Sequence, residues 1–317
     1  MRFALMIEGQ MGLSYEHLLA LAQRAEDVGF EAFFRSDHYQ SFPGPEGQPT
    51  TDAWATLAGI ARETSRIRLG ALVSPVGYRS PGNLAKIVAT VDEMSGGRVE
   101  VGLGAGWHGD EHRQHGFPFP DIADRASMLE EQLEIVRGLF EEPDGWTFHG
   151  RYYTVEGARF HPKPVQRPRP PFIVGSSGSP RSYRIAARWA DEYNLSSNGP
   201  DGVREKNALV DATCLAAGRD PATLRRSAMV GTVIARDDAE LERRRRALME
   251  GQVDEGEGEG WLASREDRWI IGTPERCREM VRRFRDAGVE RLMLQDWLPT
   301  ELDMVDLMGE EIVARMS

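Results

Sequence analysis

Short apolar runs rich in β-branched and aromatic residues alternate along this chain with stretches whose apolar residues recur every three to four positions. The alternation repeats about every 35–40 residues, the mark of a strand–helix unit. Strands are predicted at 2–8, 31–35, 67–73, 99–103, 172–175, 191–195, 228–235 and 291–294. Helices are expected between them, at 14–29, 52–63, 81–94, 127–140, 180–189, 202–217, 273–288 and 302–312. The boundaries carry chemical punctuation: Ser14 is placed to cap the first helix, Gly29 closes it, and Gly96-Gly97 ends the third. Apolar faces are explicit, with Leu18, Leu21, Ala22 and Ala25 in the first helix and Leu84, Ile87, Val88 and Val91 in the third. Eight strands, each followed by a helix, predict a (β/α)8 TIM barrel, an α/β fold filling 1–317 as one domain. A doubly wound sheet competes, but it rarely sustains so regular an alternation over eight units.

Two stretches exceed a plain connection. Residues 144–170, after the helix that follows strand four, read as a hairpin (146–148 and 152–155) running into a proline-rich connector. Residues 236–271 insert between strand seven and its helix. The arginine run 243–246 within this second insertion lies among Glu240, Glu242 and Glu250, which predicts a solvated helix face. The functional alternative is an arginine lip for an acidic cofactor tail. Alternating Glu and Gly over 255–260 disfavours packing and predicts a mobile loop, a candidate lid.

Composition narrows the partners. With 50 acidic and 39 basic residues the formal net charge is -11 and the sequence pI about 5.3, which argues against nucleic acid or an anionic membrane surface. No apolar stretch approaches the roughly 20 residues that cross a bilayer. The opening segment is interrupted by Glu8-Gly9 too soon to read as a secretory leader. The only cysteines, Cys214 and Cys277, both fall in expected helices, so a disulfide framework is not expected and a cytoplasmic location fits.

In such a barrel, chemistry sits where strands end and helices begin. Glycines at 102, 104 and 106 follow strand four and offer a surface without side chains, against which a flat ring can lie. Ser36-Asp37-His38 ends strand two, and an imidazole beside a carboxylate suits proton transfer near neutral pH. Adjacent strand residues face opposite ways, so Asp37 and His38 need not both reach the mouth. Gly175-Ser-Ser-Gly-Ser-Pro180 joins strand five to its helix, where amides, hydroxyls and the positive helix end make a natural phosphate cradle. Turns of the same composition also arise for purely structural reasons. His108, His112 and His115 suggest a metal site, but Gly109 and the charged character of the run favour capping, and no metal is expected. The chain contains no G-x-S-x-G elbow, Walker loop or H-E-x-x-H, which weakens hydrolase and NTPase readings.

Taken together, Gly29-Phe-Glu-Ala-Phe-Phe-Arg-Ser-Asp-His38, Leu69-Gly-Ala-Leu-Val-Ser-Pro75, Leu103-Gly-Ala-Gly-Trp107, Ala187-Arg-Trp-Ala-Asp-Glu-Tyr-Asn194, Ile271-Gly-Thr-Pro274 and the segment 286–294 resemble the bacterial-luciferase-like family. The resemblance spans nearly the whole chain and is closest to the branch that uses the deazaflavin coenzyme F420. It implies the barrel fold and an oxidoreductase that exchanges a hydride between the deazaflavin ring and a small organic substrate. A non-prolyl cis peptide between Ala71 and Leu72 would lie behind the central ring. Asp37 and Ser74 would bond the ring's polar edge, with Gly104, Ala105 and Gly106 passing close by. Ser176, Ser177 and Gly178 fall at the phosphate turn. His38 would handle the proton, with Glu111 a second candidate. Phe42, Trp54 and Trp107 form the expected apolar substrate wall, with core packing as their structural alternative. Phe42 and Trp107 stand where some deazaflavin sugar-phosphate and alcohol dehydrogenases carry a tryptophan and a glutamate, so those substrates are not implied. Within the fold the alternative is an FMN-dependent monooxygenase using reduced flavin and oxygen. Outside catalysis it is a flavin-binding protein. Relatives of this kind commonly pair, so a homodimer is expected.

Overall fold

Strand β1 (Arg2–Ile7) leads into α1 (Tyr15–Asp27), whose Ser14 cap accepts from the His17 amide at 3.3 Å and whose exit turns through Gly29 at φ +92°. Next come β2 (Ala32–Arg35), α2 (Ala53–Glu63) under its Asp52 cap, β3 (Arg68–Ala71) and the two-residue β4 (Ser74–Pro75). Helix α3 (Pro81–Ser95) ends at left-handed Gly96, before β5 (Val101–Gly104), the short α4 (Gly109–His115) and α5 (Ile122–Glu141). The expected hairpin is present as antiparallel β6 (Trp146–His149) and β7 (Thr154–Ala158). Three further units follow: β8 (Phe172–Ser176) with α6 (Pro180–Trp189), β9 (Glu192–Ser196) with α7 (Pro200–Ala216), and β10 (Arg225–Ile234) with the second insertion. That insertion holds α8 (Asp238–Gln252), α9 (Gly258–Ala263) and a strand absent from the sequence pattern, β11 (Ile270–Gly272). The chain closes with α10 (Pro274–Asp286), β12 (Arg291–Asp296) and α11 (Leu302–Met308), the last continued by a π-helical turn over Gly309–Val313. The computed structural model describes residues 1–252 and 258–317, so half of the candidate lid at 255–260 lies outside the described residues and the other half opens α9.

The strands run parallel in the order β3-β2-β1-β12-β10-β9-β8-β5-β4. Because β3 and β4 are two halves of one position, nine strands make eight places in the ring. A Leu69–Val99 bridge returns β3 to the side of β5, so the sheet closes as the predicted barrel. Side-chain alternation sorts two separate cores. Phe3, Leu5 and Ile7 pack outward against the helices, while Ala4 and Met6 join Ala32, Phe34, Ile173 and Met293 inside the ring.

Below that apolar layer, at the amino-terminal ends of the strands, the barrel is stoppered by charge. Arg291 (0 % exposed) bonds Glu100 at 3.1 and 2.6 Å and Glu192 at 3.2 and 2.7 Å. Arg68 reaches Glu100 at 2.5 Å, and Arg225 reaches Glu192 at 3.2 Å. Chemistry must therefore enter from the opposite end.

Arg243 and Arg246 are exposed, as a solvated helix face requires, but one member of the arginine run departs from that expectation. Arg244 is fully buried and pairs with Glu240 at 3.1 Å, Glu301 at 2.9 Å and Asp303 at 2.7 Å. It shares the inner face of α8 with buried Leu241 and Leu248, three behind and four ahead, so it is neither a solvated residue nor a lip. It fastens the insertion to the start of α11. Both cysteines are buried and free. Among the described residues no helix is long and apolar enough to cross a membrane.

Candidate active site

The interruption between β3 and β4 builds the floor of the mouth. Pairing with β2 holds through Ala71, opposite Arg35, and the chain rejoins the sheet only at Ser74, opposite Leu103. The non-prolyl cis bond accordingly falls between Leu72 and Val73, one residue beyond the expected Ala71–Leu72 position. Ala71 is still laddered and fully buried. Leu72 (7 % exposed) and half-buried Val73 carry the bulge instead.

Val73 explains the glycines. A Cβ on Gly104 would stand 2.5 Å from a Val73 methyl, and one on Gly175 would stand 2.7 Å from the other. These glycines admit the bulge across the barrel mouth, so the bare main chain expected for a ring is covered by one apolar side chain. Gly106 is needed for a different reason, its φ of +77°. Ala105 is half-buried, and its carbonyl accepts from Arg125 Nε at 3.1 Å. Gly104→Ala should cost about 1–3 kcal/mol through forced movement of Val73. A lowered denaturation midpoint together with weakened cofactor binding is the expected result.

A polar lattice holds the bulge from behind. The Trp54 indole N–H donates to Ser74 Oγ at 2.8 Å, and Ser74 donates to Asp37 Oδ2 at 2.8 Å. Arg79 grips Asp37 at 2.5 and 3.2 Å and Asp52 at 2.5 Å, and the Tyr39 hydroxyl donates to Asp52 at 2.6 Å. Burial works to raise the Asp52 carboxyl, but Arg79 and Tyr39 hold it below its ordinary range. Asp37 and Ser74 are each 1 % exposed with their polar atoms satisfied, so contact with a ring edge would come in addition to these bonds. Trp54, also 1 % exposed, is a core residue and not part of a substrate wall: α2 packs it inward, beneath the bulge.

His38 is set at the mouth by a residue 73 positions away, on α4. Its Nδ1 lies 2.8 Å from Glu111 Oε2. The same buried carboxylate accepts from the Gln40 amide at 3.0 Å, the Tyr39 amide and the Tyr78 hydroxyl. Burial alone would raise the Glu111 pKa, but the bond and charge of His38 and these donors hold it down to about 2. Glu111 is thus ionised and saturated, which unsuits it as a proton donor. An ionised carboxylate only accepts, so Nδ1 carries a hydrogen toward Glu111 and Nε2 is the ring nitrogen left for other partners. Phe42, Trp107 and His108 surround the imidazole, with ring centroids 4.5, 6.0 and 6.4 Å away.

The three histidines of the 108–115 run have structural partners. His108 caps α4, accepting from the Glu111 amide at 3.2 Å, and buried His112 bonds the His108 carbonyl at 2.9 Å. His115 stacks on Phe117. Among the described residues no group of three or more His, Cys, Asp or Glu is placed to hold a metal ion.

Across the mouth, the turn after β8 brings Ser176, Ser177 and Gly178 together. Several of its amides are already used: Gly178 donates to Ser176 Oγ at 3.0 Å, and Ser179 and Ser182 exchange bonds in a capping box. A cation not anticipated from the sequence stands beside it. Lys206 on α7 donates to the Ser177 carbonyl at 2.8 Å, and Gly178, at φ +101°, leaves room for its stem. No sequence spacing marks Lys206. Glu8 and Gln10, joined at 2.8 Å at the end of β1, were also missed, although Glu8 continues the inward parity of Ala4 and Met6.

An apolar ledge beside a carboxylate-paired imidazole, with a hydroxyl-lined turn and a lysine opposite, has the chemistry a flat ring with an anionic tail requires. The model of the luciferase-like monooxygenase family matches residues 1–291. The chain belongs to that family. An F420-dependent hydroxymycolic acid dehydrogenase of Mycobacterium tuberculosis is 31% identical over 225 residues, 71% of this chain and 61% of the relative. An FMNH(2)-dependent dimethylsulfone monooxygenase of Pseudomonas putida is 28% identical over 321 residues, 90% of this chain and 84% of the relative. The solved structure of an F420-dependent secondary alcohol dehydrogenase, in complex with an F420-acetone adduct, superposes with a TM-score of 0.85 at 21% identity, covering 100% of this chain and 99% of that one. The fold is therefore that of the luciferase-like barrels. These relatives are oxidoreductases and monooxygenases, and the chain is an enzyme of the oxidoreductase class. The non-catalytic alternative falls with that finding.

Proposed function

We propose that this luciferase-like protein exchanges a hydride between the deazaflavin coenzyme F420 and a small organic substrate, with His38 moving the accompanying proton. The observation that carries the reading is the 2.8 Å contact between His38 Nδ1 and Glu111 beside the glycine loop. The deazaflavin, when bound, supplies the carbon that takes or gives the hydride. The chain's own residues do the rest. Leu72 and Val73, backed by Gly104 and Gly175, support one face of a ring. Ser177 and Lys206 meet an anionic tail, and Ser176 and Gly178 shape the turn that presents them. Glu111 fixes the imidazole so that Nε2 accepts the proton of a substrate hydroxyl, or, once protonated, returns it to a carbonyl oxygen. Such positioned proton transfer contributes about 10²–10⁴-fold in rate.

The relative named as F420-dependent supports this reading. FMN-dependent oxygenation is the second reading, favoured by the longer match to the dimethylsulfone monooxygenase. Titrating the purified protein with each cofactor separately, following fluorescence quenching, separates the two. Deazaflavin should saturate at lower concentration than FMN, and turnover should consume no oxygen, because the ring carbon that replaces nitrogen reacts poorly with O2. Tight FMN binding with oxygen uptake during turnover would reverse the assignment.

A further inference from the structure

One carboxylate at the mouth has no countercharge. Glu8, 7% exposed, follows β1 on the inward side that Ala4 and Met6 begin. Its Oε2 accepts from Gln10 Nε2 at 2.8 Å and its Oε1 from Gln295 Nε2, both neutral amides. Among the described residues Glu8 makes no ion pair, unlike the buried acids Asp37, Glu100, Glu111 and Glu192. Arg35 lies against Gly9, but its guanidinium is spent on the Ser36 carbonyl at 3.1 Å, the Thr51 hydroxyl at 2.9 Å and the Thr56 hydroxyl at 2.5 Å. A buried carboxylate without a cation is costly, and two amide donors leave part of its accepting capacity unused.

The neighbouring strands bring aromatic faces to the same place. β1 and β12 pair Met6 with Gln295 and Ile7 with Asp296, and one further step along that register brings Glu8 to Trp297. Gly231 of β10 stands opposite Gln295, and Trp269 takes the space its side chain would fill: a Cβ there would lie 2.2 Å from the indole. Trp269 and Trp297 stack at 5.5 Å and 14°, and half-buried Trp297 keeps part of its ring open. Trp261 meets both edge-on, and this set of rings already draws one cation of the protein, Arg265, 4.0 Å over Trp261. A carboxylate beside an indole face offers a cationic nitrogen both charge and a negative ring surface. A neutral or anionic group there would strip water from Glu8 and leave its charge unanswered. We propose that Glu8 and Trp297 bind a cationic nitrogen carried by the substrate, a protonated or quaternary amine. His38 stands past the end of β2, on the other side of β1, so the proposal rests on the reading of this mouth as the substrate site.

Two probes of one shape test this, benzylamine and benzyl alcohol, titrated calorimetrically at pH 7 into the whole chain without cofactor. The amine is protonated there and the alcohol is neutral. Benzylammonium should bind about tenfold tighter, a difference of about 1.4 kcal/mol. Glu8→Gln should abolish that preference while benzyl alcohol binds as before, which shows that the site is still folded. Trp297→Leu should weaken benzylammonium as well. Glu279→Gln, which removes an exposed charge on the distant α10, should change nothing. Equal binding of the two probes, binding of neither, a preference that survives Glu8→Gln, or one lost equally in Glu279→Gln overturns the proposal. Fluorescence quenching of deazaflavin on the same samples keeps the two readings apart. Normal quenching with no preference for the cation leaves the cofactor assignment standing and removes the cation site. A preference that depends on Glu8, in a protein that ignores deazaflavin, supports the cation site and defeats the cofactor assignment.

Discussion

His38→Ala lowers turnover by about 10²–10⁴-fold, the span of positioned proton transfer, while the protein stays folded and still quenches bound deazaflavin. The expectation follows from the geometry of the side chain. His38 is only partly exposed, so its removal breaks a single ion-paired contact, to Glu111, and leaves the Trp54, Ser74, Asp37 and Arg79 lattice beneath the cofactor ledge intact. Added imidazole should restore part of the rate, because a small base can enter the space vacated. Glu111→Gln serves as the companion. It keeps an oxygen for the Tyr39 and Gln40 amides but removes the charge that fixes the imidazole, so kcat should fall by less than in His38→Ala and cofactor affinity should hold. Full activity in His38→Ala would remove the imidazole from the reaction.

The largest effect on stability is expected from Arg291→Met. Removing the guanidinium leaves Glu100 and Glu192 facing each other inside the barrel, each with one remaining arginine at its edge. Burial pushes both the Arg291 and Glu100 groups toward their neutral forms, and their mutual charge and hydrogen bonds hold both ionised. Breaking one side of such a buried cluster costs about 3–5 kcal/mol, readable as a lower midpoint in urea denaturation at neutral pH. Adding Glu100→Gln and Glu192→Gln to Arg291→Met should recover much of the loss, because the uncompensated charges then disappear. A single variant as stable as the parent would show that water already reaches the cluster.

Which parts of this architecture could be read from residue order follows from what each part depends on. The strand–helix alternation is local, since a period of two or of 3.6 is visible within one window, and the caps at Ser14, Asp52 and Gly96 sit where their chemistry places them. The short helix α4 was hidden because Gly109 and the six charged and polar residues after it carry no apolar stripe. The run 67–73 is apolar apart from Arg68, so hydropathy shows one strand where the backbone leaves the ladder after Ala71. Residue type alone points Arg244 to solvent, but helical phase places it between Leu241 and Leu248 on the buried face. His38 and Glu111 were both visible as candidates. Their pairing was not, because contact between β2 and α4 exists only once the ring has closed. Lys206 had no local signal of any kind.

The Val73 bulge carries an evolutionary implication. Gly104 and Gly175, on neighbouring strands, both yield their space to its two methyls. A lineage could not enlarge either glycine while the valine stays, yet a smaller residue at 73 would free both positions together. Sequence drift at these sites should therefore be concerted, with descendants inheriting either the whole trio or a jointly altered set.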